Sequence, residues 1–183
     1  MVSRRSLLLL TLALPACGGD FDLPVAPPPD YTEYRLGPGD KLQITVFGNQ
    51  DLSGPVVVSP EGKISLPLLG DMQAENRTVP ELGAALRQRL DRDYIVNAQV
   101  TVEVANYRPF YILGEVQKPG NYPYAVGLDV RQAVAVAGGF TRRAATSNFE
   151  VVRETPNGRR AYSLQAGDQV LPGDTIEVLR RVF

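Results

Sequence analysis

The chain has 183 residues, and its 19 Lys and Arg residues nearly balance its 20 Asp and Glu residues. It has no His, no Trp and a single Cys, so imidazole-based nucleophile systems, imidazole metal ligands and an intrachain disulfide are excluded. The near-neutral charge argues against a nucleic-acid-binding protein, which needs a basic surface. A hydrophobic fraction of 44% indicates a globular protein, and the length suits one domain or two small ones.

The first sixteen residues have the pattern of a secretory signal. A basic start at Arg4 and Arg5 precedes an apolar run, 7–14, that is far shorter than the ~20 residues of a membrane-spanning helix. The sequence Leu14-Pro15-Ala16-Cys17 resembles a bacterial lipobox, in which the Cys is acylated and becomes the mature N-terminus. We therefore predict a signal peptide over 1–16 and a lipid on Cys17, with no other cofactor. Ordinary secretion with a free Cys17 thiol is the alternative.

Residues 17–33 are predicted to be a tether. The stretch contains several prolines, which favour extended polyproline conformations, and it offers little apolar surface for a core. Such a segment would space the globular part of the chain away from the lipid.

Residues 34–105 form the first predicted module, with the order β-β-β-α-β. The segments 41–47 and 99–105 alternate apolar and polar residues, as half-buried strands do. Two shorter strands, 56–59 and 63–66, are predicted on either side of a hairpin-type turn at Pro60-Glu61-Gly62.

The helix of this module is predicted over 78–90. Thr78 and Glu81 have the spacing of a capping box, in which each side chain satisfies a backbone N–H of the first turn. Val79, Leu82, Leu86 and Leu90 then recur at helical spacing, so one face of the helix is predicted to be buried.

Residues 106–183 form the second predicted module. Its strands are predicted at 110–116, 149–153, 160–164 and 175–179, and a short helix over 129–137 ends at Gly138-Gly139.

Two stretches of the chain echo each other. Pro38-Gly39-Asp40 and Pro172-Gly173-Asp174 are each followed by one variable residue and then by alternating aliphatic residues. This pattern predicts a tight turn with the glycine at positive φ, closed by the Asp side chain, from which a strand departs. Chance recurrence of turns in a β-rich chain is the other interpretation.

The sequence contains no phosphate-binding loop, no metal-ligand cluster and no nucleophile next to a base, so we predict neither a catalytic nor a metal site. Carboxylates alone can hydrolyse glycosidic bonds, and a hydrolase hypothesis would use Asp91, Asp93 or Glu115. The first two lie at a predicted helix end, where charged residues commonly terminate helices.

Four residues are candidates for contacts with a polymer or with other subunits. Tyr122 and Tyr124 could stack on sugar rings, although tyrosines in strands more often pack a core. Arg142 and Arg143 could meet an anionic polymer, although solvated surface is the default for such arginines.

Two stretches occur in a characteristic order after the lipobox. They are Tyr34–Asp40, with the alternating strand that follows it, and Tyr111–Val116, with the turn at Pro119-Gly120. Over residues 34–182 this order resembles the outer-membrane polysaccharide export family. The first stretch resembles the start of the family's export domain, and the second resembles the opening of a soluble-ligand-binding β-grasp domain.

The resemblance implies an α+β fold, with an export domain over 34–105 and a β-grasp domain over 106–183. It also implies a non-enzymatic lipoprotein at the periplasmic face of the outer membrane. Identical subunits would form a ring that helps to carry capsule, exopolysaccharide or a similar polymer. An inner-membrane polysaccharide copolymerase would be the expected partner.

Only four residues follow the last predicted strand, which is too few for a membrane-crossing helix. We therefore expect no transmembrane helix in the mature chain, and a separate outer-membrane β-barrel as a further partner. The chain would act as an oligomeric conduit or adapter. The alternative is a lipoprotein that binds a saccharide through its β-grasp domain and does not assemble.

Overall fold

The computed structural model describes residues 23–27, 34–155 and 158–181. The predicted lipidation site, Cys17, and the predicted signal peptide lie outside these ranges. The described residues form two modules of mixed α/β structure, each with its own core, as the sequence predicts. Within these ranges, no helix combines the length and apolar character needed to cross a membrane.

The first module contains five strands and one long helix. In chain order these are β1 (Lys41–Val46), β2 (Gly54–Val57), β3 (Lys63–Leu66), β4 (Gly70–Gln73), α1 (Val79–Asp93) and β5 (Val100–Asn106). Strands β2, β1 and β5 form an antiparallel sheet in that order, and β3 and β4 form a separate hairpin.

The pairing of β3 differs from the sequence prediction. The turn before it exists, since the Gly62 N–H donates to the Ser59 carbonyl at 2.9 Å. However, β2 pairs with β1, and β3 pairs with β4, a strand that the sequence analysis missed. The tight turn between β3 and β4 places Leu68 and Gly70 at φ 64° and 66°. The sequence of β4, Gly-Asp-Met-Gln, has little strand propensity, which explains why it was missed.

Helix α1 begins as predicted. The Glu81 N–H donates to the Thr78 hydroxyl and the Thr78 N–H donates to the Glu81 carboxylate, which completes the capping box. Leu82, Leu86 and Leu90 are buried in the same core as the aliphatic residues of the sheet. The helix runs three residues beyond the predicted end at Leu90 and finishes at Asp93.

The second module is one five-stranded sheet with a short helix. Its elements are β6 (Phe110–Gly114), β7 (Gly120–Tyr122), α2 (Val130–Val136), β8 (Asn148–Thr155), β9 (Gly158–Gln165) and β10 (Thr175–Val178). The strand order is β7-β6-β10-β8-β9, and only the β6–β10 pair is parallel. The core joins residues of α2 to the three inner strands β6, β10 and β8, including Val134, Phe110, Ile112, Phe149 and Ile176.

Strand β6 ends earlier than predicted because of Gly114. This residue lies opposite Val178 of β10 at φ 80°, where a Cβ atom would come within 2.2 Å of the Val178 carbonyl oxygen. The close approach of the two backbones therefore requires glycine at this position.

Residues 23–27 are not a free tether, which corrects part of the prediction for 17–33. Val25 forms a parallel bridge to Ser163 of β9. The Ser163 N–H donates to the Pro24 carbonyl at 2.9 Å, and the Ala26 N–H donates to the Ser163 carbonyl at 3.3 Å. Ala26 also packs against the core of the second module. The segment thus covers the outer edge of the sheet at β9.

Candidate functional site at the junction of the two modules

The two Pro-Gly-Asp sequences form matching turns, as the echo in the sequence predicts. Gly39 and Gly173 have φ values of 92° and 84°, which glycine adopts without strain. In the first turn the Gly37 N–H donates to Asp40 Oδ2 at 2.9 Å, and in the second the Leu171 N–H donates to Asp174 Oδ2 at 2.8 Å. Each turn therefore holds a buried carboxylate at the start of a strand.

Asp40 is the centre of a buried network at the junction. It is fully buried, and its carboxylate accepts hydrogen bonds from the Tyr34 hydroxyl at 2.7 Å and from the Arg108 N–H at 2.8 Å. Nη1 of Arg108 lies 3.2 Å from Asp40 Oδ2 and also donates to the Tyr34 hydroxyl. A buried carboxylate is stable only when such partners satisfy it, so this network ties Arg108 to the first module.

Asp174 has an equivalent partner within the second module. Nε and Nη2 of Arg153 donate to its two carboxylate oxygens at 2.9 and 2.8 Å, and both residues are buried. This two-pronged geometry is the strong form of an arginine–carboxylate pair.

The side chain of Arg108 lies between the two turns. A Cβ atom added to Gly37 would lie 2.2 Å from Arg108 Nη1, and one added to Gly173 would lie 2.6 Å from Arg108 Nε. The Gly173 N–H also donates to the Pro109 carbonyl at 3.1 Å. Arg108 and the residue after it therefore join both turns, which fixes one module against the other.

A row of three tyrosines extends the junction. The rings of Tyr34 and Tyr107 meet edge to face at 5.1 Å between centroids, and those of Tyr107 and Tyr124 meet at 5.5 Å. Burial raises the pKa of the Tyr34 phenol, the positive charge of Arg108 lowers it, and the negative charge of Asp40 raises it, with a net increase. The neutral phenol therefore persists as a hydrogen-bond donor to Asp40.

A cleft of about 890 Å³ opens beside these turns, between the two modules. Such a volume is typical of ligand sites. Tyr111 lies on its second-module side and is 45% exposed. Arg35, Arg108, Arg153 and Arg159 also line it, and each has a carboxylate partner within 4.0 Å. The cleft thus presents the Tyr111 ring together with arginine side chains that are paired with carboxylates.

The predicted contact residues do not line this cleft. The Tyr122 hydroxyl donates to the Lys118 carbonyl at 2.7 Å, and both Tyr122 and Tyr124 pack against the core of the second module. Arg142 and Arg143 are exposed at the other end of the sheet, where the Arg143 carbonyl accepts a hydrogen bond from the Arg181 N–H. Their role as polymer or subunit contacts stays a prediction.

The sequence analysis did not single out Arg108 as a functional residue. Its signal was indirect, since a buried aspartate at the start of a strand needs a partner, and the cations near Asp40 in the sequence, Arg35 and Lys41, gave no reason to look for a distant one. Tyr111 belongs with Tyr122 and Tyr124 among the tyrosines that could stack on sugar rings, and of these three it is the one that lines the cleft, from β6.

The carboxylates of the hydrolase hypothesis serve local structure, two of them at the end of α1 and the third just after β6 in the second module. Asp91 accepts a hydrogen bond from the Ala98 N–H at 2.6 Å, and Asp93 lies 2.8 Å from Arg92. Glu115 accepts a hydrogen bond from the Thr141 hydroxyl. Within the ranges that the structure describes, no group of acidic residues is placed to hold a metal ion.

Two family models match the chain in succession. The model described as polysaccharide biosynthesis/export protein matches residues 28–105, and the SLBB domain model matches residues 109–163. The matches fall on the first and second modules in the order that the sequence predicts. Proteins of these two families are transport components and not enzymes.

Curated relatives agree with this assignment. The chain is 36% identical over 154 residues to the exopolysaccharide production protein ExoF of Rhizobium meliloti, covering 78% of the chain and 35% of ExoF. It is 28% identical over 155 residues to the EPS I polysaccharide export outer membrane protein EpsA of Ralstonia solanacearum, covering 70% of the chain and 40% of EpsA. It is 29% identical over 92 residues to the polysialic acid transport protein KpsD of Escherichia coli, covering 49% of the chain and 16% of KpsD.

The chain thus spans well under half the length of these relatives. The first match covers the first module through residue 105, and the second match covers residues 109–163 of the second module, so the order of the two domains agrees with the order of the two modules. The chain therefore joins a polysaccharide biosynthesis/export domain to an SLBB domain.

Proposed function

We propose that the chain takes part in polysaccharide export as a lipid-anchored component at the periplasmic face of the outer membrane. The observation that carries this proposal is the succession of the two matched domains, together with similarity over 154 and 155 residues to relatives named for polysaccharide production and export. In this proposal the lipid is attached at Cys17, and the transported molecule is a capsular or extracellular polysaccharide.

The structure supports assembly from identical subunits. A ring of copies requires every subunit to present its contact surfaces in the same relative orientation. The Arg108 network meets that requirement because it fixes the export domain against the SLBB domain through buried hydrogen bonds. We propose an oligomeric conduit or adapter that carries the polymer without a membrane-spanning pore of its own.

An apolar surface on the export domain is a candidate contact for such an assembly. Four large apolar or aromatic residues, each more than half exposed, occur where β1 ends, where β3 turns into β4 and just after α1. They are Phe47, Leu68, Tyr94 and Val96. Exposed apolar patches of this kind mark protein–protein contacts. We assign this surface to a neighbouring copy or to the inner-membrane copolymerase, and we assign passage across the outer membrane to a separate β-barrel.

The experiment combines an export assay with a measurement of mass. A strain lacking the gene would be complemented with the wild-type chain or with the Phe47→Ser, Val96→Ser double variant, and surface polysaccharide would be quantified. Light scattering after size exclusion, with and without the copolymerase, would report assembly. We expect the double variant to lose both export and assembly.

The matched control is Val126→Ser, since Val126 is also largely exposed, at 64%, but lies in the SLBB domain. It should leave both readouts unchanged. A wild-type chain that is dispensable for surface polysaccharide would refute the proposed role in export.

The cleft favours a second candidate function, which is binding of a saccharide by a chain that does not assemble. Tyr111 could stack on a sugar ring, and the paired arginines could bond to its hydroxyl groups. Titration calorimetry with oligosaccharides from the cognate polymer would test this. A monomer that binds one oligosaccharide, with binding lost in Tyr111→Ala, would favour the second function over the first.

A further inference from the structure

One end of the SLBB domain brings together arginines from two distant parts of the sequence. Ala144 forms an antiparallel bridge to Arg180, and next to this bridge the Arg181 N–H donates to the Arg143 carbonyl at 2.7 Å. Neighbouring strands of such a ladder lie about 4.8 Å apart, so the backbones at 143 and 181 are side by side. Together with Arg142 they form the arginine cluster (Arg142, Arg143, Arg180 and Arg181), and all four residues are exposed.

Carboxylates of the chain do not neutralise this cluster. Among the residues that the structure describes, Arg142, Arg143 and Arg180 have no carboxylate within 4.0 Å, whereas seven arginines elsewhere each have one. The segments 142–145 and 179–181 contain neither Asp nor Glu. Like charges opposite each other on neighbouring strands are destabilising, so an anion from outside the chain would stabilise the cluster.

The acidic residues of the adjacent strands are engaged elsewhere or lie too far away. The Glu115 carboxylate accepts a hydrogen bond from the Thr141 hydroxyl. Glu150 and Glu177 lie opposite each other on β8 and β10, and Glu177 precedes Arg180 by three residues, about 10 Å along an extended chain. Exposed charges farther apart than the Debye length, about 8 Å at physiological ionic strength, are largely screened from each other. The cluster is therefore a local positive surface on a nearly neutral chain.

The backbone beneath the cluster is held in place by buried and hydrogen-bonded neighbours. Ala144 is buried, and its N–H donates to the Thr141 carbonyl at 3.3 Å. The Arg143 N–H donates to the Thr141 hydroxyl, also at 3.3 Å. Only the arginine side chains would then lose freedom when an anion binds, which lowers the entropic cost of binding.

We propose that the arginine cluster binds an acidic polysaccharide, one whose sugar units carry carboxylate groups. This substrate class rests on the proposed function, in which the chain carries the exported polymer. A guanidinium group remains charged at physiological pH and matches a carboxylate through two parallel hydrogen bonds. Several such groups at one end of a domain suit a ligand that repeats its charge along its length, and each further subunit would add another set.

The surroundings of the cluster favour a polysaccharide over a protein or a membrane. Protein interfaces are apolar at their core, and helices that bind a membrane surface place apolar side chains opposite their basic ones. None of the large apolar residues that are exposed in the described part of the chain lies within 140–147 or 179–181. A hydrophilic polyanion does not need such side chains.

Binding of defined polymers would test this substrate class. Titration calorimetry on the full chain, purified in a non-ionic detergent, would compare polygalacturonate oligosaccharides, which carry a carboxylate on each sugar, with neutral dextran oligosaccharides of equal length. We expect the chain to bind polygalacturonate and not dextran. The Kd should rise at least about tenfold between about 50 and 500 mM NaCl, because salt screens exposed charges.

Two double variants distinguish the cluster from other exposed arginines. Arg143→Gln with Arg180→Gln should raise the Kd for polygalacturonate at least about tenfold, since it removes two charge-assisted contacts. The matched control is Arg87→Gln with Arg160→Gln. Those two arginines are also exposed and, in the described part of the chain, also have no carboxylate within 4.0 Å. The control should change the Kd by less than about twofold, and circular dichroism would verify that both variants fold.

Several results would overturn the substrate class and leave the proposed function in place. They are equal binding of dextran and polygalacturonate, an equal loss of binding in both double variants, and binding that is lost in Tyr111→Ala but kept in the cluster variant, which would place the polymer in the cleft. Sedimentation with phosphatidylglycerol vesicles without binding of polygalacturonate would assign the cluster to a lipid surface instead. A wild-type chain that is dispensable for surface polysaccharide would overturn the proposed function and this substrate class with it.

Discussion

Replacing Asp40 by Ala is the most informative perturbation of the junction. The carboxylate is fully buried and accepts hydrogen bonds from the Gly37 N–H, the Tyr34 hydroxyl, the Arg108 N–H and the Arg108 guanidinium. Breaking a buried ion pair by removing one partner costs about 3–5 kcal/mol. Arg108 remains 20% exposed and can turn toward the cleft, so we expect a loss near the lower limit, about 3 kcal/mol.

Urea unfolding followed by circular dichroism on the acyl-free chain would measure this loss. For a chain of this size, about 3 kcal/mol corresponds to a decrease in Tm of roughly 6–12 °C. We also expect the single transition of the wild type to split or to broaden, because the two modules lose the contact that couples their unfolding.

The control is Asp71→Ala, which removes an exposed carboxylate that bonds to Ser65 in the same module. It should change stability by less than about 0.5 kcal/mol. In a double-mutant cycle, Arg108→Ala should add little to Asp40→Ala, because the two residues act as a pair. A loss below about 1 kcal/mol for Asp40→Ala, or full additivity with Arg108→Ala, would refute the role given to this network.

Two further predictions rest on the structure and a third rests on the sequence. Gly114→Ala should cost about 2–5 kcal/mol, because it combines positive φ with a clash against the Val178 carbonyl; Gly70→Ala, also at positive φ but in open space, should cost only about 1 kcal/mol in the same unfolding assay. The raised pKa of Tyr34 means that its stabilising contribution is fully present below about pH 10, the range of an unfolded tyrosine, and is lost as the pH rises further. The free energy of unfolding should therefore fall above about pH 10 in the wild type and less steeply in Tyr34→Phe. Cys17→Ser should move the protein from the membrane fraction to the soluble periplasm, and unchanged fractionation would contradict the lipid anchor.

Local features of the sequence predicted the local structure well. The capping box at Thr78 and Glu81 needs only the four residues that form it, and the two Pro-Gly-Asp turns need only themselves. Periodicity also identified the buried face of α1, because a helix repeats within a few residues.

Features that depend on distant partners were not predictable in this way. Alternation shows that 63–66 is a strand but not that its partner is β4, since the period of two residues is the same for every neighbour. Asp40 and Arg108 are 68 residues apart, and no local pattern joins them. The docking of residues 23–27 on β9 uses backbone atoms, which every sequence shares, so a proline-rich stretch gave no sign of it.

The position of Arg108 has a practical consequence for dissecting the protein. The export family model ends at residue 105, and a recombinant fragment cut at that point would keep Asp40 but lose its cationic neighbour. The isolated fragment would then enclose an uncompensated negative charge and would fold poorly for a reason unrelated to its native competence. Fragments intended for crystallisation or binding studies should therefore extend at least through Pro109.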